Sequence, residues 1–146
     1  MQVISVLTVL AGFQLAAALP SALIKGASDL AARAQLGSKL CVNTNFILSM
    51  DRGCETISNA SGMMPGQCIA LDSQLYDKVS SIAPLAGSWC TYFKAEGCKD
   101  TTPNGCGKFD ANSPINDLTT VSPTNPSTKC EGNMDKKIRS FLCNYV

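Results

Sequence analysis

The sequence predicts an all-β protein, an antiparallel sandwich or barrel held together by disulfide bonds. Three observations lead to this prediction. From Leu40 onward the apolar segments are short and punctuated by cysteine, a pattern that favours many short strands. Turn-forming residues separate these segments, as in Pro103-Asn104-Gly105. The 146-residue chain also carries eight cysteines, which is typical of small secreted domains with a modest hydrophobic core.

Eight segments between turn residues are candidates for strands. Ser73–Tyr76 is the one stretch of this region that suggests a helical turn. The segment from Asn112 to Lys129 contains three prolines and is expected to be a loop or a weak edge, because proline cannot donate to a strand ladder. The predicted strands are Leu40–Asn43, Cys54–Ile57, Gln67–Leu71, Val79–Pro84, Trp89–Lys94, Gly107–Asp110, Leu118–Val121 and Ile138–Tyr145.

The first eighteen residues are expected to be a signal peptide. Val3 to Ala18 is apolar and uncharged, and Ala16 and Ala18 supply the small side chains that signal peptidase requires before a cut at Leu19. The alternative is a membrane anchor, but the apolar run is shorter than the ~20 residues that a spanning helix needs. The chain is therefore predicted to be secreted and extracellular.

Residues 19–39 differ in composition from the cysteine-bearing remainder of the chain, and we expect them to form an N-terminal arm or a pro-segment. The stretch is rich in alanine and leucine and has no cysteine or aromatic residue. Ser28 could cap a short helix over Asp29 to Leu36, with Gly37 ending it. The mature disulfide-rich domain is then predicted to span residues 40–146.

The even number of cysteines predicts four disulfides in an oxidising compartment. Sequence alone leaves ~105 pairings open. Zinc binding is the alternative, but the chain has no histidine and no C-x-x-C pair, so the usual zinc spacing is absent. The cysteines are Cys41, Cys54, Cys68, Cys90, Cys98, Cys106, Cys130 and Cys143.

Composition argues against several function classes. The net charge is +1 and no basic stripe is present, so we expect no nucleic-acid partner. The absence of histidine removes Ser-His-Asp and Cys-His catalysis. No spacing pairs the carboxylates for a glycosidase, and we expect a monomeric, non-enzymatic protein without a cofactor or metal. The available carboxylates are Asp51, Glu55, Asp72, Asp77, Glu96, Asp100 and Asp110.

Two segments resemble each other and indicate two related halves. One runs from Cys68 to Ile82 and later reaches Cys90-Thr91-Tyr92, and the other runs from Cys130 to Tyr145. Each opens with a cysteine and continues with a polar turn containing Asp-Lys. An apolar-x-Ser-apolar unit and a Cys-x-Tyr unit come next. Internal repetition of this kind is expected of a fold with pseudo-symmetry.

These residues resemble the βγ-crystallin family. Its Ser-containing strand corresponds to Val79-Ser80-Ser81-Ile82, and its Gly-x-Trp unit corresponds to Gly87-Ser88-Trp89. The resemblance covers Cys41 to Val146 and implies a β-sandwich of two Greek-key motifs. The high cysteine content is closer to the small secreted fungal proteins and plant antimicrobial proteins built on this scaffold. A serine hydroxyl in such a strand can bond a backbone amide in the folded-over loop of its own motif.

Microbial members of that family bind calcium through loops of the form Asn/Asp-Asn/Asp-x-x-Ser/Thr-Ser. The segment Tyr76–Ser81 keeps the second, fifth and sixth positions of this pattern. The segment Asp135–Ser140 keeps the first and last, with Lys136 and Arg139 at the second and fifth. Calcium needs several oxygen ligands, so we interpret the Asp77 loop as a structural turn.

Two further candidate sites stand out in the sequence. Trp89, Tyr92 and Phe93 form the only dense aromatic cluster, which is either core or a platform for stacking a sugar or touching a membrane. Asn59 lies in the sequon Asn59-Ala60-Ser61 and is a candidate glycosylation site on a surface loop.

The favoured functional hypothesis is a secreted fungal effector or an antimicrobial or killer-type toxin. Its target would be a protein, glycan or membrane of a host or competitor. The main alternative is a module that binds carbohydrate or a host protease through Trp89–Phe93 or the Cys98–Cys106 loop. An enzyme that uses two carboxylates is the third hypothesis.

Overall fold

A computed structural model describes residues 35–45, 53–124 and 130–146 of the chain. Within these ranges the protein consists of strands and short 3-10 turns. None of these turns is long or apolar enough to cross a membrane. The strands are β1 (Gly37–Cys41), β2 (Cys54–Ser58), β3 (Ile69–Ala70), β4 (Ser81–Pro84), β5 (Ser88–Phe93), β6 (Lys108–Ala111) and β7 (Ser140–Tyr145).

The strands form two antiparallel sheets whose order shows two related halves. The first sheet has the order β2-β1-β4 and the second has the order β3-β7-β5-β6. Strand β3 belongs to the first half of the chain but pairs with β7 of the second half. Conversely, Ile115 of the second half forms an antiparallel bridge with Ile82 in β4. Each half therefore gives three strands to its own sheet and one segment to the other, the exchange that makes two Greek keys a sandwich.

Seven of the eight predicted strands overlap strands of the structure. The eighth, Leu118–Val121, is wrong, because Leu118–Thr120 is a 3-10 turn. The side chain of Asp117 accepts a hydrogen bond from the backbone N–H of Thr119 at 2.9 Å and caps this turn. Local capping by aspartate thus overrides the strand preference of the Thr-Thr-Val sequence.

The sandwich begins before Leu40. Strand β1 starts at Gly37, and Leu36 is fully buried in the core. Gly37 is the first residue of β1, and its backbone lies so close to Ile57 and Ser58 of β2 that a Cβ atom would collide with them. Residues 36–39 of the predicted arm are therefore part of the domain. The predicted signal peptide and residues 19–34 lie outside the described residues.

The core lies between the two sheets and forms one continuous cluster. Its centre is an aromatic layer on the inner face of the second sheet, where Tyr92 stacks on Phe109 and Phe141 with ring centroids 5.1 and 5.8 Å apart. From the first sheet, the Ser38 hydroxyl forms a 2.6 Å hydrogen bond with the Tyr92 hydroxyl. This bond satisfies a polar group that would otherwise be buried without a partner.

All eight cysteines are paired in disulfides, as the sequence predicts. Two of the bonds join directly paired positions of neighbouring strands, β1 with β2 and β5 with β7. Of the other two, one joins the residue before β3 to the turn Glu96–Cys98, and one joins two loops of the second half. The pairs are Cys41–Cys54, Cys68–Cys98, Cys90–Cys143 and Cys106–Cys130.

Candidate functional site

The turns that precede β4 and β7 are structural counterparts that face each other. Asp77 and Lys136 both adopt positive φ, at 54° and 51°. The N–H of Asp77 donates to the carbonyl of Ile138 at 3.2 Å, and the N–H of Lys136 donates to the carbonyl of Val79 at 2.9 Å. These reciprocal bonds lock the two turns, which we call the paired loops (residues 76–81 and 135–140).

The shared geometry of the paired loops extends to one serine in each. Ser81 Oγ donates to the carbonyl of Asn43 at 2.6 Å, and Ser140 Oγ donates to the carbonyl of Ala95 at 2.7 Å. Ser140 Oγ also accepts from the backbone N–H of Cys98 at 3.0 Å. Each serine therefore ties down the loop after the first strand of its own half, as its place between apolar residues predicts.

Only part of the sequence repeat corresponds to equivalent positions in the two halves of the structure. Val79–Ile82 and Ile138–Phe141 occupy equivalent positions at the starts of β4 and β7. The two Cys-x-Tyr units do not, because they lie in adjacent strands β5 and β7 of the same sheet. Cys90 and Cys143 are direct partners there and are bonded to each other.

An ion pair joins the paired loops at the surface. Arg139 Nε donates to both carboxylate oxygens of Asp77 at 3.0 and 3.1 Å, and Nη2 donates to Oδ2 at 2.9 Å. The hydrogen bonds to Asp77, followed by its charge, raise the pKa of Arg139 above its usual value. The guanidinium also lies 5.1 Å from the centroid of the Tyr76 ring, whose hydroxyl donates to Glu96 at 2.9 Å.

The ion pair occupies the carboxylate of Asp77, the candidate calcium ligand of this loop. Both carboxylate oxygens of Asp77 accept hydrogen bonds from Arg139, and a calcium ion there would have to displace a guanidinium. In the part of the chain that the structure describes, no three His, Cys, Asp or Glu side chains are grouped as metal ligands would be. These residues do not fit calcium, and we keep the interpretation of the Asp77 loop as a structural turn.

The structure separates the three residues of the aromatic cluster. Tyr92 and Phe93 are buried, with 0% and 5% of their surface exposed, whereas Trp89 is 45% exposed. Tyr92 belongs to the core cluster, and the turn Glu96–Cys98 contacts β5. Of the two alternatives, the core interpretation holds for Tyr92 and Phe93, and Trp89 is the member of the three that is exposed to a partner.

Trp89 lies on the outer face of the second sheet. Its neighbours in β5, Ser88 and Cys90, are buried, so strand alternation directs the indole outward. Asn144 is its direct partner in β7 and is exposed. Two positions further along β5, the Thr91 hydroxyl donates to Oδ1 of Asp110 in β6. This surface, which we call the Trp89 face, combines one flat aromatic ring with amide, hydroxyl and carboxylate groups.

The Cys98–Cys106 loop is organised by Asp100. Its Oδ1 accepts hydrogen bonds from the Thr102 N–H at 3.2 Å, the Thr102 hydroxyl at 2.6 Å and the Gly107 N–H at 3.0 Å. Desolvation acts to raise the pKa of Asp100, but these hydrogen bonds outweigh it, and the pKa lies below its usual value. The loop is therefore held by hydrogen bonds between its own residues and Gly107.

Three of the other carboxylates serve local structure in the same way. Asp72 caps the turn after β3 by accepting from the Gln74 N–H at 2.8 Å. Glu96 accepts from Tyr76, and Asp110 accepts from Thr91. Glu55 is exposed on β2, and Asp51 lies outside the described residues.

The sequon residue Asn59 is exposed at the start of the 3-10 turn Asn59–Ser61. A capping box closes the start of this turn, because Ser58 Oγ accepts from the Ala60 N–H and Ser61 Oγ accepts from the Ser58 N–H. Glycosylation at Asn59 stays a prediction.

No protein-family model and no curated protein matches the chain. Among solved structures, it is similar to the Ca²⁺-bound βγ-crystallin domain of Abundant Perithecial Protein from Neurospora crassa. That match has 12% identity and a TM-score of 0.48, over 75% of this chain and 89% of that chain. It is also similar to the N-terminal domain of Protein S, with 13% identity and a TM-score of 0.45, over 75% and 97% of the two chains. The strand order and the paired cysteines of this protein themselves define a disulfide-bonded sandwich of two Greek keys.

Proposed function

We propose that this is a secreted, non-enzymatic protein that acts by binding a carbohydrate on the surface of another organism, in the role of an effector or antimicrobial toxin. The pairing of all eight cysteines supports an extracellular site of action, since disulfides persist in oxidising compartments. Five of the carboxylates described above (Asp72, Asp77, Glu96, Asp100 and Asp110) are engaged in hydrogen bonds, which favours binding over catalysis.

The observation that carries the proposal is the exposure of Trp89. A small domain gains stability by burying its single tryptophan, yet nearly half of this side chain faces solvent. The ring stands on β5, a central strand that the Cys90–Cys143 disulfide ties to β7. A rigid, solvent-facing indole provides a flat surface for the apolar face of a sugar.

The groups around the indole fit the same class of ligand. A sugar needs hydrogen-bond donors and acceptors at the rim of the ring that stacks on it. Asn144 supplies a donor and an acceptor next to Trp89, and Asp110 supplies a carboxylate oxygen on the same face. Sites of this kind combine an apolar surface with a few fixed polar groups.

A glycan array probed with the purified protein tests this function. We expect saturable binding to a defined set of sugars that is abolished by Trp89→Ala. Tyr145→Ala is the matched control, because Tyr145 is 49% exposed but occupies the opposite side of β7 from Asn144. Equal binding by wild type and Trp89→Ala would disprove the proposal. A growth-inhibition assay with the same variants then tests the effector or toxin role.

A further inference from the structure

A basic pocket lies beside the paired loops, at the other end of β5 from Trp89. Its lining consists of the cationic side chains of Lys94, Lys136, Lys137 and Arg139 and the carboxylate of Asp77, around a volume of about 310 Å³. Lys136, Lys137 and Arg139 are neighbours in the sequence, but Lys94 lies far from them in the chain, so the sequence alone does not show the whole cluster. The fold assembles it, because the N–H of Arg139 donates to the carbonyl of Phe93, next to Lys94.

The positive charge of the pocket is not neutralised within it. Four cations and one carboxylate leave three positive charges in excess. The carboxylate of Asp77 is already held by Arg139 through Nε and Nη2, while Nη1 makes no hydrogen bond to it. Among the described residues, the ammonium groups of Lys94 and Lys136 donate no hydrogen bond to another side chain or carbonyl.

The lysines are also held close enough to repel each other. Lys94 is half-buried, and desolvation, followed by the positive charge of Lys137, lowers its pKa, although Asp100 acts in the opposite direction. Lys137 is fixed in place, because its Nζ donates to the carbonyl and side-chain oxygens of Asn133 at 3.1 and 3.2 Å. Keeping like charges together in this way costs stability, and an anion between them would remove the cost.

We propose that this pocket binds a tetrahedral oxyanion, a phosphate or sulfate group. Lys94 and Lys137 would bind it from two sides, and the free Nη1 edge of Arg139 would donate a charge-assisted hydrogen bond. This site is distinct from the Trp89 face, since five residues along a strand separate Trp89 from Lys94 by about 17 Å. The inference therefore does not depend on the proposed sugar binding.

Titrations at low ionic strength, followed by amide NMR and by thermal melting, test the site. The probes are inorganic phosphate, inorganic sulfate, a sulfated disaccharide and inositol trisphosphate. We expect saturable shifts at the amides of Lys94, Lys137 and Arg139, together with a rise in melting temperature. Preference for the disaccharide indicates a sulfated glycan as the natural source, and preference for inositol trisphosphate indicates a phosphorylated headgroup.

The decisive variant is Lys94→Gln/Lys137→Gln, and the matched control is Lys78→Gln/Lys99→Gln. Both remove two positive charges, but Lys78 and Lys99 are exposed positions outside the pocket. We expect the first variant to weaken binding by at least about tenfold and the control to change it far less. Without anion, the first variant should melt no lower than wild type, because it relieves repulsion. Absence of saturable binding, or equal weakening by both variants, would overturn the proposal.

Discussion

Arg139 and Asp77 are 62 residues apart in the chain and belong to opposite halves of the sandwich, yet their side chains form three hydrogen bonds. The pair lies across a pseudo-symmetric contact in which each turn already bonds the other through its backbone. The ion pair breaks this symmetry, because the counterpart of Asp77 in the other loop is Lys136. Two related loops have thus become complementary in charge.

Loss of the ion pair should have a small effect on stability. The side chains of Arg139 and Asp77 are 43% and 35% exposed, and solvent screens a pair at such a surface. We expect Arg139→Gln to lower the melting temperature by about 3 °C. A double-mutant cycle with Asp77→Asn checks the origin of the loss: the double variant should lose less than the two single variants together. Strict additivity would show that the two side chains act independently.

Calcium should have little effect on this protein. Since Arg139 holds the carboxylate of Asp77, millimolar calcium is expected to shift the melting temperature by no more than about 1 °C, the change for a ligand present below its dissociation constant. Magnesium at equal concentration controls for general salt effects. A rise of many degrees specific to calcium would show that the ion displaces the guanidinium.

The bond between Ser38 and Tyr92 links the two sheets inside the core. Both residues are fully buried, and burial raises the pKa of the Tyr92 hydroxyl far above its usual value. We expect Ser38→Ala to destabilise the protein by about 1–3 kcal/mol, because it leaves a buried hydroxyl without its partner. Denaturant unfolding of Ser38→Ala and of Ser38→Ala/Tyr92→Phe provides the measurement. The double variant should be the more stable of the two, and the reverse order would contradict this explanation.

The sequence predicts the strands better than it predicts the sites. Short apolar segments between turns locate seven strands, since alternation and turn chemistry are local. The sequence also allows the opposite orientations of Trp89 and Tyr92 to be predicted, because residues three apart along a strand lie on opposite faces of the sheet. Alternation does not predict the burial of Phe93, because Phe93 lies on the same side of β5 as the exposed Trp89 and is nevertheless buried.

The charged sites depend on contacts between distant segments. Aligning the two segments of the repeat places Asp77 at the second loop position and Arg139 at the fifth. Their opposite charges are a sequence signal for the ion pair between the loops. The basic pocket had only a partial signal, the neighbouring cations Lys136, Lys137 and Arg139, because Lys94 reaches them only through the pairing of β5 with β7. A search for basic runs in the sequence therefore misses the contribution of Lys94.

The disulfides should contribute unequally to stability. Cys90–Cys143 closes a separation of 53 residues and Cys41–Cys54 one of 13. In the chain-entropy model these bonds are worth about 4 and about 3 kcal/mol. We expect Cys90→Ala/Cys143→Ala to unfold at lower denaturant than Cys41→Ala/Cys54→Ala, and full reduction by a thiol to abolish the near-UV circular dichroism signal. Retention of that signal and of protease resistance after reduction would show that the packed core suffices.

Acid should destabilise the Cys98–Cys106 loop through Asp100. Its pKa is lower in the folded protein than the usual value, because Thr102 and Gly107 donate hydrogen bonds to the charged form. The unfolded chain therefore binds more protons than the native state between the two pKa values, and stability falls as the pH drops below about 4 and through the lowered native pKa.

Melting temperatures measured from about pH 7 to about pH 2 check this dependence. We expect the curve of Asp100→Asn to be flatter than that of wild type in the acid range, because the amide does not titrate. Asp117→Asn is the comparison, since the pKa of Asp117 is also lowered, first by the Thr119 hydroxyl and then by its N–H. Each variant should remove its own share of the acid sensitivity, and an unchanged slope in Asp100→Asn would mean that its hydrogen bonds do not favour the charged form.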